Sequence, residues 1–319
     1  MKYVDKYDMN LSKIGLGTGR FGTVLDEGVS FDMLDMFVEK GGNVIDTARN
    51  YYEWVEDGRG KSEQTIGKWM DARGIRDNVY LSTKGGVRNE GKKFFFNLSK
   101  ENLTKELEQS LDALRTDYID IYLLHRDEPK RPVEEIMENL QEIAEAGKVK
   151  ALGVCNWSAQ RVKRANSYAK KQGLQPIQIV QTWWSIAAYT PNMWNDETTT
   201  YMDQEMYRYL KEENLFGMAY TSQAKGFFQK AIKEGYEQLN DFLKSRVVTE
   251  ENLKRLDKIK KYCEEKGVSP TAVVNGYITD NALDGTALVS CSKLEQLEEI
   301  LCHCDTKIEA DWLKQFDIV

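Results

Sequence analysis

Asn43-Val-Ile-Asp-Thr-Ala-Arg-Asn-Tyr-Tyr-Glu-Trp54 is the stretch on which the reading of this chain turns. Two β-branched residues, Val44 and Ile45, lead into an acid, and Tyr51 follows that acid in the next few positions. An apolar run of this kind predicts a strand buried on both faces, with polar groups released where the backbone leaves the sheet. Asp46 then marks the strand's C-terminal end and Tyr51 the loop beyond it, the edge where parallel α/β proteins carry their chemistry. An aspartate capping an ordinary turn looks the same in isolation. Recurrence separates the two readings, because a strand ending on a polar residue returns along the rest of the chain.

Upstream, Lys13-Ile-Gly-Leu-Gly17 predicts a short strand. Gly17-Thr-Gly-Arg-Phe-Gly22 matches the dinucleotide fingerprint G-x-G-x-x-G, but that motif requires a helix opening at its last glycine. The residues from Thr23 to Val29 are turn-like, so the match reads as a decoy. The first helix is expected to start at Ser30 as N-cap, with Leu34, Phe37 and Val38 inward. Downstream, strands are expected at 79–84, 118–125, 149–154, 177–181, 216–220 and 287–289. Helices are expected over 62–73, from Ser99, from Pro132, over 159–172, 202–213, 250–266 and 270–280, and from Lys293. Residues 226–250 read as a long irregular connection of the kind that covers a ligand. Eight strand–helix units without a linker or composition break indicate a (β/α)8 barrel, a single domain over residues 1–319, rather than an open sheet.

The bulk numbers agree. A chain of 319 residues, 41% hydrophobic and 30% charged, has ample apolar surface for one large core. A net charge of −7 argues against a nucleic-acid partner, because phosphate binding needs a basic face. Residues 1–8 hold no continuous apolar core and no segment approaches the length of a membrane span, so a cytoplasmic protein is expected. Five scattered cysteines read as free thiols in a reducing compartment. Cys302-His303-Cys304 has the look of metal ligands, yet it continues the helical pattern of Leu294, Leu297, Ile300 and Leu301, and no metal site is expected.

Four strand ends carry Asp46, Lys84, His125 and Asn156, and a barrel brings all four to one rim. With two histidines in the whole chain, a metal-dependent hydrolase is disfavoured by counting. A Schiff-base aldolase could use Lys84 but gives Tyr51 no role. Tyr262-Cys-Glu-Glu-Lys266 offers the Tyr-x-x-x-Lys pair of a short-chain dehydrogenase, but it lies late, on an amphipathic helix with no nucleotide strand before it, and reads as surface.

Several spaced segments in order, Asp46-Thr-Ala-Arg-Asn-Tyr51, Gly60-Lys-Ser-Glu-Gln-Thr-Ile-Gly67, Leu81-Ser-Thr-Lys84, Leu123-Leu-His125, Gly153-Val-Cys-Asn156 and Ala219-Tyr-Thr-Ser222, make the chain resemble the aldo-keto reductases over essentially its full length. The resemblance implies a catalytic tetrad of Asp46, Tyr51, Lys84 and His125. A phenol of pKa near 10 is a poor acid unless a cation stabilises its phenolate. Lys84 would supply that cation, Asp46 would hold it, and His125 would orient the carbonyl. The same resemblance implies a nicotinamide cofactor, NADP by family default or NAD. Cys155 (a departure from the usual serine), Asn156 and Gln181 would lie at its carboxamide, Tyr220 on its ring, and Thr221, Ser222, Gln223 and Lys225 along its pyrophosphate. Ser290, Ser292, Lys293, Gln296 and Glu299 would flank the adenosine, and Ser290 and Gln296 stand where NADP-preferring members carry basic residues. Trp54, Trp183 and Trp184 are expected at the substrate pocket, and with Asn192 and Asn195 they lean towards a sugar or polyol, a small-molecule carbonyl in any case. A nucleotide-sensing regulatory protein of slow turnover is the competing reading, and an intact tetrad argues against it.

Overall fold

Every strand expected from an apolar run forms, and the strands pair in parallel into a sheet that closes on itself. A computed structural model describes residues 1–90, 93–189 and 196–316 of the chain. An antiparallel hairpin comes first, β1 (Tyr3–Lys6) with β2 (Met9–Ser12). The barrel begins with β3 (Ile14–Gly17), β4 (Val44–Asp46) and β5 (Tyr80–Gly85), and a second hairpin, β6 (Val87–Glu90) with β7 (Lys93–Phe96), rises from its rim. It is completed by β8 (Ile119–Leu124), β9 (Val149–Cys155), β10 (Ile179–Trp183), β11 (Phe216–Tyr220) and β12 (Gly285–Val289). Neighbours run β3, β4, β5, β8, β9, β10, β11, β12 and back to β3, where Ala287 pairs with Ile14. This is the (β/α)8 barrel that the alternation predicts.

The apolar residues divide into two layers because a strand's side chains alternate. Ile121, Leu123, Ala151, Ile179, Phe216, Met218 and Leu288 fill the barrel, and Met9 and Leu11 of the first hairpin close it from below. Outward strand residues such as Ile45, Leu81, Leu152 and Val180 pack under the surrounding helices. Several of those helices start where a short polar side chain accepts an early backbone N–H. Ser99 caps the helix Lys100–Leu114 and Ser158 the helix Ala159–Gln172. No helix among the described residues is long and apolar enough to cross a membrane.

Three expectations need correction. The first helix runs Glu27–Glu39: Asp26 caps it by accepting from the Val29 N–H at 2.9 Å, and Ser30, one turn inside, donates its hydroxyl back to the Asp26 carbonyl. The connection 226–250 is helical rather than irregular, built from Phe227–Glu234 and Asp241–Val247 around a 3-10 turn, with Phe227, Phe228, Leu243 and Val247 buried. Tyr262 is buried rather than on the surface. Its ring packs on Trp312 at 4.0 Å, and its hydroxyl accepts from the Glu309 N–H, far from the dehydrogenase role its spacing suggests.

Candidate active site

Register fixes the centre of the site. Asp46 pairs with Ser82 across β4 and β5, and Lys84 lies two residues further along, on the same face. Lys84 Nζ therefore reaches Asp46 Oδ2 at 2.7 Å. It also donates to the Thr47 carbonyl at 2.6 Å and to the Tyr51 hydroxyl oxygen at 2.9 Å, which uses all three of its hydrogens. The other carboxylate oxygen, Oδ1, accepts from Ser82 Oγ and Gln181 Nε2, each at 2.9 Å. Tyr51 keeps its own proton, which points to Asp46 Oδ2 across a long 3.3 Å contact. Tyr52 turns away in the left-handed region at φ 54° and lays its ring on Trp54 at 4.9 Å. Of the two adjacent tyrosines, Tyr51 is thus the one in contact with Lys84.

Tyr51 and His125 are each partly exposed as residues, yet both titrating groups lie deep among protein atoms, and that depth dominates their acidity. Burial raises the Tyr51 phenol above its ordinary range; Lys84 pulls it down and Asp46 pushes it up again. Burial is the largest of these effects, and Asp46, 2.7 Å from the ammonium, offsets part of what Lys84 supplies. Burial alone would discharge Lys84, but Asp46 and then Tyr51 carry its ammonium above the usual lysine value. Burial pushes the Cys155 thiol up to about 12, so it is no nucleophile.

His125 lies against Tyr51 edge to face, with ring centroids 5.9 Å apart. Burial first, then Arg126 and Lys84, lower its pKa well below the ordinary histidine value, which leaves the ring neutral. Its Nδ1 lies 2.7 Å from Asn50 Oδ1. Around this centre three further ion pairs hold the loop that carries Tyr51, and sequence reasoning did not single them out. Arg49 donates to the fully buried Glu63 at 3.0 Å, and the other oxygen of Glu63 accepts from Thr83 Oγ1 at 2.7 Å. Arg59 donates to Glu106 at 2.7 Å and also pairs with Glu53, while Glu106 accepts from the Gly86 N–H at 2.6 Å. A buried acid in the segment Gly60-Lys-Ser-Glu-Gln-Thr-Ile-Gly67 was the available signal, since such an acid needs a partner.

The residues expected at a nicotinamide cofactor gather on the same rim, with differing engagements. Asn156, in the left-handed region at φ 59°, accepts at Oδ1 from the Tyr220 hydroxyl at 2.7 Å and from the Thr200 N–H at 3.1 Å. Both its amide and the Tyr220 ring are thereby oriented, and Nδ2 is left as the amide's donor. Gln181, expected beside it, instead donates to Asp46 and accepts from the Cys155 thiol at 3.5 Å. Beyond β11 the backbone turns left-handed at Thr221, Ala224, Lys225 and Gly226, a curl of the kind that presents N–H groups to an anion. Ser222 donates inward to the Leu288 carbonyl at 2.7 Å, while Gln223 lies partly exposed in the curl. Lys225 has its ammonium pulled below the usual value by desolvation and then by Arg20. An anionic group fits the donors of this curl.

After β12, Ser290, Ser292 and Lys293 are exposed. Gln296 turns its amide oxygen back onto the Ser292 N–H at 2.9 Å and hydroxyl at 3.1 Å, closing the first turn of the helix Leu294–Cys302. Glu299 accepts from Thr271 Oγ1 at 2.7 Å. At the mouth, Trp54 is 54% exposed. Trp183 is buried against Tyr189, which stacks on Tyr201 at 3.9 Å. Trp184 does not reach the pocket: it lies among Tyr207 and Tyr277 of the surrounding helices and over Gly217 and Gly285, because it follows the last inward position of β10. Asn192 and Asn195 lie outside the described residues. Among the described residues no three His, Cys, Asp or Glu side chains come together as metal ligands.

Comparison with known proteins places the chain in a family. The model of the Aldo/keto reductase family matches residues 13–319. The aldo-keto reductase YhdN of Bacillus subtilis is 30% identical over 251 residues, covering 77% of this chain and 69% of that protein. The norsolorinic acid reductase of Aspergillus flavus is 30% identical over 323 residues, covering 97% of this chain and 78% of that protein. An NADP(+)-designated aryl-alcohol dehydrogenase of Phanerodontia chrysosporium is 36% identical over 181 residues, 54% of this chain and 44% of that protein. A match that runs from the first barrel strand past the last leaves no segment of the barrel unaccounted for, and the chain belongs to the aldo/keto reductase family of oxidoreductases.

Proposed function

We propose that the protein is an NAD(P)H-dependent oxidoreductase that reduces a carbonyl to an alcohol, or runs the reverse, with Tyr51 as general acid and base. The observation that carries this reading is the 2.9 Å contact from Lys84 Nζ to the Tyr51 oxygen, backed by Asp46 at 2.7 Å. Because the ammonium already donates to the phenol oxygen, the phenol's proton is directed elsewhere, held only by the long contact to Asp46. A carbonyl oxygen at the rim competes for that proton on favourable terms. As the proton leaves, the phenolate forms beside a cation that is already in place and needs no reorganisation. A bound nicotinamide supplies the hydride. Asn156 Nδ2 is the donor for its carboxamide, Tyr220 the ring that flanks it, and the curl from Thr221 to Gly226 with Lys225 the seat of its pyrophosphate.

For the substrate, the exposed Trp54 and the Tyr189–Tyr201 stack favour a planar partner. Similar proteins are named for aryl alcohols and for norsolorinic acid, which puts an aryl aldehyde or ketone ahead of the sugar suggested by sequence alone. The test is turnover of an aldehyde and aldose panel with NADPH and NADH, on wild type, Tyr51→Phe and Tyr52→Phe. Tyr51→Phe should keep its dinucleotide affinity and lose at least about 10²-fold in kcat, the usual worth of one general acid, while Tyr52→Phe keeps most of its turnover. Full activity in both variants would refute Tyr51 as the acid, and no turnover by the wild type would favour a nucleotide-binding protein without this chemistry.

A further inference from the structure

Arg126, next after His125 on the rim, and Asp196 keep only 14% and 17% of their side chains exposed, so their ion pair is largely withdrawn from water. The guanidinium donates to three acceptors: the His125 carbonyl at 2.9 Å, Thr198 Oγ1 at 3.1 Å and Asp196 Oδ2 at 3.3 Å. The other oxygen of Asp196 accepts from the Thr198 N–H at 3.0 Å and from its hydroxyl at 2.5 Å. The Thr198 hydroxyl thus gives its hydrogen to Asp196 and a lone pair to Arg126, which closes one turn of chain on one cation. Residues 196–200 form no helix or strand. Among the described residues, every hydrogen bond that Asp196 and Thr198 make outside their own turn goes to Arg126.

Thr200 carries that anchorage to the cofactor side of the rim. Its N–H donates to the Asn156 side chain at 3.1 Å. Its carbonyl accepts from the Thr182 hydroxyl at 2.8 Å, the Trp183 N–H at 3.2 Å and the Tyr220 hydroxyl at 3.5 Å. Tyr201, next in the chain, stacks on Tyr189 and so belongs to the aromatic wall of the mouth. We propose that Arg126 is a positioning residue: by clasping Asp196 and Thr198 it seats residues 196–200 across the rim, and Thr200 then holds Asn156 and Tyr220 in place for a nicotinamide. This rests on the reading of Asn156 and Tyr220 as the nicotinamide seat. One cation beside the tetrad thereby ties the substrate mouth and the cofactor seat into one unit.

The test is ligand binding rather than turnover, because Arg126 also acts on His125 and kcat would mix the two effects. In fluorescence titration Arg126→Met should weaken NADPH and NADH by about five- to tenfold, the worth of about one hydrogen bond. ADP-ribose and its 2′-phosphate, which lack the nicotinamide, should bind the variant and wild type equally. Arg126→Lys keeps a donor for Asp196 and should recover part of the loss. Arg164→Met, which breaks an ion pair with Glu134 on the helix surface, should change neither kind of ligand. Equal dinucleotide affinity in wild type and Arg126→Met overturns the proposal, and so does an equal loss for ADP-ribose, the mark of a general loosening. Amide hydrogen exchange on the free protein reads the seating itself. Thr200 and Trp183 should exchange faster in Arg126→Met, and unchanged exchange also overturns the proposal. If wild type binds the dinucleotides no better than ADP-ribose, the nicotinamide reading fails, while faster exchange at Thr200 keeps Arg126 as the residue that seats the segment.

Discussion

Replacing Asp46 by asparagine probes the centre of the site without changing its shape. The carboxylate accepts four hydrogen bonds, from Ser82 and Gln181 on one oxygen and from Lys84 and Tyr51 on the other. An amide has one acceptor oxygen, so in Asp46→Asn either Ser82 and Gln181 or Lys84 and Tyr51 face an NH2 group. Lys84 also becomes a buried cation without a counter-charge, 1% exposed and left with the neutral Thr47 carbonyl and Tyr51 hydroxyl as partners. Removing one partner of a buried pair typically costs about 3–5 kcal/mol, a large fraction of a domain's whole stability. Urea unfolding at neutral pH should show this as a lower midpoint at unchanged slope. Adding Lys84→Met removes the stranded charge, so the double variant should be more stable than Asp46→Asn alone, by a coupling of about 1–3 kcal/mol. In Asp46→Asn the phenol of Tyr51 should also titrate at lower pH than in wild type, because the cation beside it is no longer neutralised. An Asp46→Asn protein as stable as wild type, or one that Lys84→Met destabilises further, would refute the account of Asp46 as the neutralising hub.

Three other outcomes follow from contacts already described. Gln296→Arg should raise the NADPH:NADH affinity ratio by less than about tenfold, since one exposed cation is worth little, and fluorescence titration with both dinucleotides reads it; a wild-type preference for NADPH above about a thousandfold would point to a phosphate clamp elsewhere. His125 is depressed below the unfolded value of about 6.5, so its contribution to stability is present above that pH and is lost as the pH falls, by at most about 1.4 kcal/mol per pH unit. His125→Gln should flatten the acid side of the stability profile between about pH 6.5 and 5, and a profile unchanged by that substitution would mean the ring is charged in the folded state. Glu63→Gln strands Arg49 at the base of the Tyr51 loop and should cost about 3 kcal/mol while speeding limited proteolysis across residues 52–58; equal cleavage rates would show that the loop is held by other contacts.

Some of this was legible in the sequence for a clear physical reason. A barrel strand is buried on both faces, so Val44-Ile45 and the run Ile119–Leu124, interrupted only by Asp120, stand out as apolar stretches, and the polar residue that ends each one falls on the rim by construction. The first hairpin gave no such signal. Its strands are short and partly exposed, and its turn puts Tyr7 and Asp8 at φ 50° and 59°, where an Asn-Gly pair is the usual mark. Trp183 and Trp184 illustrate a different limit: adjacent residues leave a strand on opposite sides, and a strand boundary known to two residues cannot say which one faces the pocket. Arg49 with Glu63, and Asn50 with His125, are pairings across the fold. Each residue was visible alone, but a partner set by tertiary contact is not a property of the local sequence.

The hairpin that closes the barrel also sets an order on how the molecule comes together during synthesis. Met9 and Leu11 are made long before Phe216, Met218 and Leu288, the residues that form their socket. Lys6 and Tyr7 likewise wait for the carbonyls of Asn214 and Gln178. Ile14 has no partner on its open side until Ala287 has been made. The ribosome therefore delivers an apolar plug and an unpaired strand edge whose partners do not yet exist, the condition under which nascent chains stick to one another. A segment made before its socket is among the last to be seated, and slow elongation between the two would lengthen the interval in which a chaperone has something to hold.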